Sequence, residues 1–546
     1  MRRARADRGS IGRDRSVATM TTDTGEAPRS GPPLGGRTAL VVDGRDVEVP
    51  DDVTLLEALR EHLGVVEPKD GCSPQGQCGC CTVLVDGSPR VACVTPVRRV
   101  RGRSVVTLAT LPDADTWAQA FADTGASQCG FCTPGIICRL AGLREKKPDA
   151  GYDDVEQALL AHLCRCTGWR TILDAWDAYG SSPAERDLEA AAARATLEGG
   201  APQEVGPHVA LGDAGFADDT APREALVAVL DPDGEWTLDE SVAAARRSAG
   251  KVQGRRTTAE AEPPIAVPDG EWDIVLQTSW VEPGYLETDA SWGLPGGEPA
   301  DPLVNGGAFG GKTSSPLPGE AARLSQERDT AVRAIWSRED VVRLGPKRPP
   351  IAAGVQRDGS GVVRVARTEG VVDAVRSVLP EASVEEVDVP GPPTSIDLRA
   401  AGWAEAVVLR AAIDGSVGTV HQPDGGTATA TIGDDGSIHV AVDAGDPLDE
   451  VVLRSYCIGA AHQALSWVTS ESIVVDTDGV VHDLTIRSFG ILRAVDTPPI
   501  EVTVEPSTST AVPVGDAVFA AVAAAVWLHQ GTPPFWPTGV GLRPTS

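Results

Sequence analysis

An α+β fold in three successive units is what this chain predicts, and three observations predict it. Two short hairpins and a further strand surround a single helix between residues 38 and 108. Helical periodicity then dominates through residue 180. Beyond residue 223, short β-rich runs mix with helices and are punctuated by Asp-Gly, Gly-Gly and Pro-Pro pairs. The expected units are therefore 37–110, 111–180 and 223–546, with a disordered tail over 1–36 and a linker over 181–222.

The elements follow in order. Thr38–Val42, an Asp43-Gly44 turn and Val47–Val49 read as a hairpin. Leu55, Leu56, Leu59 and Leu63 share one face of a helix over Val53–Leu63. Thr82–Val85, Asp86-Gly87 and Val91–Val94 give a second hairpin, and Ser104–Leu108 a last strand. Strands wrapped around one helix make a β-grasp shape. Trp117–Thr124 opens a helical bundle, and Tyr152–Leu163 reads as an amphipathic helix. Residues 183–222 hold a short Ala/Glu helix, then Gly, Pro and acidic residues without clear periodicity. Thr237-Leu-Asp-Glu240 has the form of a capping box that starts a helix through Arg247. Strands are expected at Asp273–Trp280, Val362–Val365, Ile438–Val442, Ile473–Val475 and Val480–Arg487, and an Ala-rich helix at Ala517–Gln530.

The chemistry sits in the cysteines. Cys72, Cys78 and Cys81 crowd into one loop bearing Gly71, Gly76 and Gly79, and the second hairpin folds Cys93 back beside them. Thiolates packed so closely need a metal centre to neutralise them. A tight trio with a distant fourth ligand is the plan of a plant-type ferredoxin [2Fe–2S] cluster. Zinc ligands usually come as two separated pairs, and a trio this tight cannot pair within itself as disulfides. Cys129 and Cys132 form a second pair, answered by Cys164 and Cys166. Alone, Cys129-x-x-Cys132 could be a thioredoxin-like redox pair. Joined to Cys-x-Cys directly after a ferredoxin loop, it points to a second [2Fe–2S] cluster in the helical unit. Trp169 beside that pair is packing rather than a relay ring.

Charge and composition narrow the partners. The formal net charge is −30, so nucleic acid and anionic membranes are poor partners, and a basic redox protein would be steered favourably. No stretch is long and apolar enough to span a membrane. Of eleven cysteines, Cys80, Cys138 and Cys457 remain outside the two sets, as a spare packed in the ligand loop, a helix-core residue and a buried thiol. No disulfide framework is visible, which fits a reducing cytoplasm. Met1-Arg-Arg is not followed by an apolar run, so the start reads as a tail, with Met20 an alternative initiator.

In the second half, Gly306, Gly311, Lys312 and Thr313 satisfy the phosphate-loop spacing. The required context fails: Leu303-Val304 is too short for the preceding strand, and Pro316 and Pro318 interrupt the following helix. A plain tight loop is the simpler alternative. Asp516 stands before the Ala-rich helix, where Asp is a favoured N-cap. His421 and His439 have no partner at ligand spacing.

Residues 37–180 closely resemble the iron–sulfur part of the molybdenum hydroxylases, a family that includes xanthine dehydrogenase, aldehyde oxidoreductase and carbon monoxide dehydrogenase. Both cysteine sets match ligand for ligand, with one residue inserted between Cys72 and Cys78, and with Cys80 where the family usually has a small residue. Asn305-Gly-Gly-Ala-Phe-Gly-Gly-Lys312 is similar to the family's glycine loop. The resemblance implies that Gly306, Gly307, Ala308, Phe309 and Gly310 approach a molybdopterin and that Gln128 contacts the pterin. Val281–Glu287 is similar to a His-containing family motif, with Pro283 in the His place, and Ser337–Asp340 through Pro349 and residues 438–500 resemble further segments. The third unit thus resembles a shortened molybdopterin-binding domain, lacking several cofactor loops. Where the family has a catalytic Glu after Gly, this chain has Asp516.

The resemblance implies an oxidoreductase that hydroxylates an aldehyde or N-heterocycle at a molybdenum centre. Electrons would pass through two [2Fe–2S] clusters to a redox protein or a separate flavin subunit, and a homodimer is compatible. An electron-transfer subunit or scaffold with a non-catalytic molybdopterin domain is the alternative. An ATP-coupled redox protein is a third possibility.

Overall fold

The computed structural model describes residues 36–251 and 254–543; Met1-Arg-Arg, Met20 and the expected tail lie outside them. β1 (Arg37–Val42), β2 (Arg45–Pro50), β3 (Thr82–Val85), β4 (Ser88–Val91) and β5 (Ser104–Val106) form one sheet in the order β2-β1-β5-β3-β4. Thr54 caps the helix beneath it by accepting from the Glu57 N–H at 3.2 Å. That helix passes into a π turn at Ala58–His62, which keeps Leu55, Leu56 and Leu59 buried against the sheet. β4 ends at Val91, earlier than expected, so Cys93 rides a 3-10 turn, Ala92–Val94.

Helices Ala114–Thr124, Thr133–Lys146, Tyr152–Ala158 and Arg170–Ala178 follow. Trp117 is wedged among Phe121, Trp176 and Tyr179, with ring centroids 6.5, 6.0 and 4.3 Å away. The expected helix to Leu163 stops at Ala158, and His162 turns back onto the first cysteine loop, 3.2 Å from the Thr82 hydroxyl. One apolar core runs through both units and takes in all eight candidate ligands.

The stretch expected as a linker is packed instead. Its helix, Leu188–Gly199, is capped by Asp187 and carries a fully buried Arg194. That guanidinium donates to the carbonyls of Pro447, Val512, Ala444 and Asp446 at 2.8–3.1 Å and pairs with Glu198 at 3.1 Å. Val209 and Phe216 join the apolar core.

Beyond it lie three sheets. Trp236–Asp239, Leu226–Leu230, Val332–Ile335 and Ala290–Gly293 pair in that order. A second sheet orders Ala382–Val387, Gly361–Ala366, Ile351–Val355, Ile274–Thr278 and Phe535–Trp536, and a third Val420–His421, Thr427–Ile432, Ile438–Asp443 and Ile500–Val504. Helices Trp403–Asp414, Glu450–Thr469 and Gly515–His529 pack together beside them around a second large core. Three local expectations are corrected. Thr237 lies in a strand, because pairing with Leu226–Leu230 outweighs the capping pattern, and Ser241 caps Val242–Ser248. Ile473–Val475 and Val480–Arg487 make only isolated bridges, because Asp476 and Asp483 accept nearby backbone N–H groups and close turns. Pro316 and Pro318 open the helix Leu317–Arg328 rather than break one, since its first turn needs no proline N–H. Among the described residues no helix is long and apolar enough to cross a membrane.

Arg194→Ala leaves Glu198 and four carbonyls without their cation. It is expected to destabilise the fold by about 3–5 kcal/mol, read as a lowered thermal midpoint. A midpoint equal to wild type would contradict the account of this stretch.

Candidate metal centres

The first cysteine set converges. The Cys72 thiol lies within hydrogen-bond reach of Cys78 and Cys93, and Cys93 within reach of Cys81. All four are buried. The neighbouring thiols hold Cys72 well below the ordinary thiol range. The Gln75 N–H donates to its sulfur at 3.0 Å and the Gln77 N–H at 3.5 Å, while the Cys93 N–H donates to Cys81 at 3.4 Å. These are donors that stabilise sulfur-borne negative charge. Gly79 has φ +77°, and an added Cβ would fall 2.5 Å from the His162 ring, so the second unit presses directly on the loop.

The second set arranges itself in two pairs. Cys129 and Cys166 lie 3.5 Å apart, sulfur to sulfur, and Cys132 lies against Cys164. The Cys132 contact holds Cys164 down to about 6, aided by Thr167, whose hydroxyl is 3.1 Å from its sulfur. Leu163 joins the two sets: its N–H donates to the Cys78 carbonyl at 2.9 Å. Burial pushes the adjacent His162 down to about 3, so it stays neutral.

Among the described residues, no three Cys, His, Asp or Glu side chains close on a single ion. In the second set, sulfurs grouped two by two suit a core of two irons, each taking two thiolates, better than one tetrahedral zinc. The donors, their burial and the N–H groups aimed at sulfur all fit [2Fe–2S]. All eleven cysteines are free and buried, so no disulfide competes. Cys138 lies in a helix core and Cys457 is buried, as expected, the latter inside the helix Glu450–Thr469, and Cys80 is buried in the loop beside Cys78.

The glycine loop meets the second set. Asn305 donates to the carbonyls of Gln128 and Cys129 at 3.3 and 3.2 Å. At Gly307, with φ +81°, an added Cβ would fall 2.9 Å from Cys129 Cβ and 3.1 Å from its sulfur. The Gln203 amide lies 3.0 Å from the Asn305 carbonyl and 3.1 Å from the Gly306 N–H. Gln128 turns away from the loop and donates to the Cys166 carbonyl at 3.1 Å and the Ser455 hydroxyl at 2.9 Å. The cavity between loop and cysteines measures about 10 Å³, and the one lined by Phe309 and Arg399 about 30 Å³. About 10–15 Å³ of such space holds a single water, whereas an organic ligand pocket measures about 300 Å³ or more. A molybdopterin does not fit this space as it is closed here.

Asp516 and Phe309 come together through Arg399. That guanidinium stacks 4.7 Å over the Phe309 ring, donates to Gln463 at 3.0 Å and lies 3.8 Å from the Asp516 carboxylate. Burial pushes the Asp516 carboxyl up. Asp516 is not the N-cap: Val514 holds that place, Glu198 accepts the Val514 and Gly515 N–H groups, and Gln422 accepts those of Asp516 and Ala517. The phosphate-loop reading loses its lysine as well. Lys312 is buried, donating to Glu287 at 2.6 Å and to the Pro302 carbonyl at 3.2 Å. Trp169 is fully buried and donates to the Leu492 carbonyl, as packing requires. His439 is an exposed residue pairing with Glu501.

Sequence reasoning missed the residues that grip the loops. Arg338 donates to the carbonyls of Gly71 and Leu286 at 2.6 and 2.7 Å, and Glu339 accepts from Gln75 at 3.1 Å. Arg487 donates to the Gln77 carbonyl at 2.7 Å. Arg165, between two ligands, pairs with buried Glu471 and donates to the Pro283 carbonyl at 2.9 Å. The position of Arg165 inside the Cys164-Arg-Cys166 run, and the family-like segments that hold Arg338, Glu339 and Arg487, were the signals present, but none of them named a partner.

Residues 40–98 match the 2Fe-2S iron-sulfur cluster binding domain family and residues 107–177 the [2Fe-2S] binding domain family. The chain is 35% identical over 133 residues to the nicotinate dehydrogenase small FeS subunit of Eubacterium barkeri, covering 24% of this chain and 84% of that one. It is 37% identical over 143 residues to the nicotine 6-hydroxylase small subunit of Paenarthrobacter nicotinovorans, covering 26% and 82%. Against the longer aldehyde oxidoreductase of Megalodesulfovibrio gigas it is 38% identical over 149 residues, which is 25% of this chain and only 16% of that one. The fold is similar to the crystal structure of the aldehyde oxidoreductase of Desulfovibrio desulfuricans over 90% of this chain and 97% of that one, with TM-score 0.64 and 14% identity. With both cysteine sets converged inside the two matched domains, the chain belongs to the molybdenum hydroxylase family of oxidoreductases, as a member carrying two [2Fe–2S] domains.

Proposed function

We propose that this chain is an electron carrier of a molybdenum hydroxylase system, passing electrons from the Cys129/Cys132/Cys164/Cys166 centre to the Cys72/Cys78/Cys81/Cys93 centre and on to a redox protein or separate flavin subunit. The observation that carries this reading is the contact of Gly307 with Cys129 across a gap of about 10 Å³. A [2Fe–2S] core, when bound, holds and releases one electron at a time. The chain's residues do the rest. Buried cysteines exclude water, the N–H groups of Gln75 and Gln77 stabilise the charge on sulfur, and the Leu163-to-Cys78 hydrogen bond fixes the spacing of the two ligand sets. Residues 223–543 act as a scaffold that seals the second centre and grips the first through Arg338, Glu339 and Arg487.

The second reading is a hydroxylase that binds molybdopterin once the glycine loop lifts. The meeting of Phe309, Arg399, Gln463 and Asp516 favours it, since Asp516 would there be a partly buried carboxylate able to take a proton. Joint metal analysis separates the two. The carrier is expected to hold about four irons per chain with no molybdenum or pterin, and the dithionite-reduced protein to show two rhombic EPR signals. One molybdenum per chain would favour the hydroxylase. Zinc in place of iron would remove both readings.

Gly307→Ala places a methyl against Cys129 at a backbone angle that alanine resists. The EPR signal of the second centre is expected to broaden or disappear while that of the first persists. Two unchanged signals would contradict the contact.

A further inference from the structure

Cys93 approaches the surface through its neighbour. The turn that carries it leaves Val94 52% exposed. Val94 lies over Gly76 of the ligand loop, where an added Cβ would fall 2.8 Å from its Cγ1. A single exposed valine is ordinary, but around this one the chain reverses its charge. The protein carries 78 acidic against 48 basic residues, yet residues 90–103 hold Arg90, Arg98, Arg99, Arg101 and Arg103 and no acidic residue. Arg101 pairs with Asp51 and Arg103 with Asp86. Arg90, Arg98 and Arg99 are exposed and make no ion pair among the described residues. Arg90 lies on edge strand β4, which runs into the Cys93 turn, and Arg98 and Arg99 on the turn Val97–Val100, which follows it.

We propose that this stretch, exposed Val94 with Arg90 on the strand before it and Arg98 and Arg99 on the turn after it, docks an acidic redox protein, to whose cofactor one electron passes from the first centre with no atom transferred. The proposal rests on the electron-carrier reading above and deepens it. Arginine is favoured at protein interfaces, and opposite charges across a small contact steer encounter more than they add affinity. The remainder of a chain at −30 repels an acidic partner, so attraction confined to this stretch selects both site and orientation. Net charge alone points to a basic partner; the local distribution at the ligand edge reverses that expectation.

The test uses the full chain, with rubredoxin as the acidic probe and cytochrome c as the basic one. Iron content and visible absorption come first: a preparation without about four irons and the cluster spectrum refutes the carrier reading itself. With clusters intact, calorimetric affinity of the oxidised chain for oxidised rubredoxin is expected to weaken steeply with salt. The triple variant Arg90→Glu, Arg98→Glu, Arg99→Glu is expected to lose about tenfold or more in that affinity and in the rate of rubredoxin reduction, with cytochrome c reduced as fast or faster. Where the glutamates disturb folding, the Arg→Gln set keeps the test, with a smaller loss in the same direction. Rubredoxin affinity and rate unchanged in a variant that retains its iron would overturn the proposal, as would rubredoxin binding that strengthens with salt.

Discussion

Eight thiols are buried here in two groups whose sulfurs nearly touch. As thiolates in a dry interior they would repel one another at a cost of several kcal/mol per uncompensated charge. As thiols they would waste a cluster of weak donors on one another. A pair of iron–sulfur cores resolves both difficulties, and the surroundings are arranged as though the cores set the terms. Backbone N–H groups point at Cys72 and Cys81, a neutral His162 stands between the sets, and the guanidinium of Arg165 lies between Cys164 and Cys166 in sequence, tied outward to Glu471. The core of the first two units consequently forms around the cysteines rather than beside them.

This requirement explains why the second half is tied to the first by polar contacts. Arg338 and Arg487 both end on carbonyls of the first ligand loop, Gly71 and Gln77, and Gln75 donates to Glu339. A loop with glycines at 71, 76 and 79 has little intrinsic stiffness, and each charge-assisted hydrogen bond to it replaces a solvent contact with a fixed one. Arg246 adds a bond at Ser73, so four side chains from beyond residue 223 brace a loop of eleven residues, 71 to 81. Such bracing narrows the reorganisation available to the ligands as charge on the core changes. It is a reason for a fused scaffold even where that scaffold does no chemistry of its own.

What the sequence disclosed follows the distance over which each signal acts. The cysteine sets were legible because ligands of one core sit within a short loop or a helix turn of each other, and the β-grasp strands because alternation and Asp-Gly turns are local. The braces were not legible: Arg487 meets Gln77 across 410 residues, and Gln75 meets Leu484 across 409. Segment 183–222 reads as a linker because, after a short Ala/Glu helix, its Gly, Pro and acidic residues show no clear periodicity. It packs because one buried guanidinium satisfies four distant carbonyls, an arrangement with no periodicity to detect. The Thr237 capping pattern failed for the complementary reason, since a cross-strand partner at Val229 claimed the residue first. Asp516 was read as a helix cap, yet the helix start is served by Glu198 and Gln422, both far away in the chain.

The glycine loop shows how much the fold spends to bring backbone against the second centre. Asn305, Gly306, Gly307, Phe309 and Gly310 all have φ between +52° and +90°. For the glycines this is nearly free, but Asn305 and Phe309 each hold a conformation that costs on the order of 1–3 kcal/mol. A tight turn alone would not need five such residues in a run of six. The strain is held by specific opposition: Asn305 donates to two carbonyls at the cysteine loop and accepts the Glu204 N–H at 2.6 Å, while Arg399 covers the Phe309 ring. Strain maintained in this way marks a functional contact, because relaxation of the loop would be downhill unless something selected for the close approach. The thing approached is Cys129, with Cys166 beside it, so the strained run sets backbone directly against two of the four thiols of the second set.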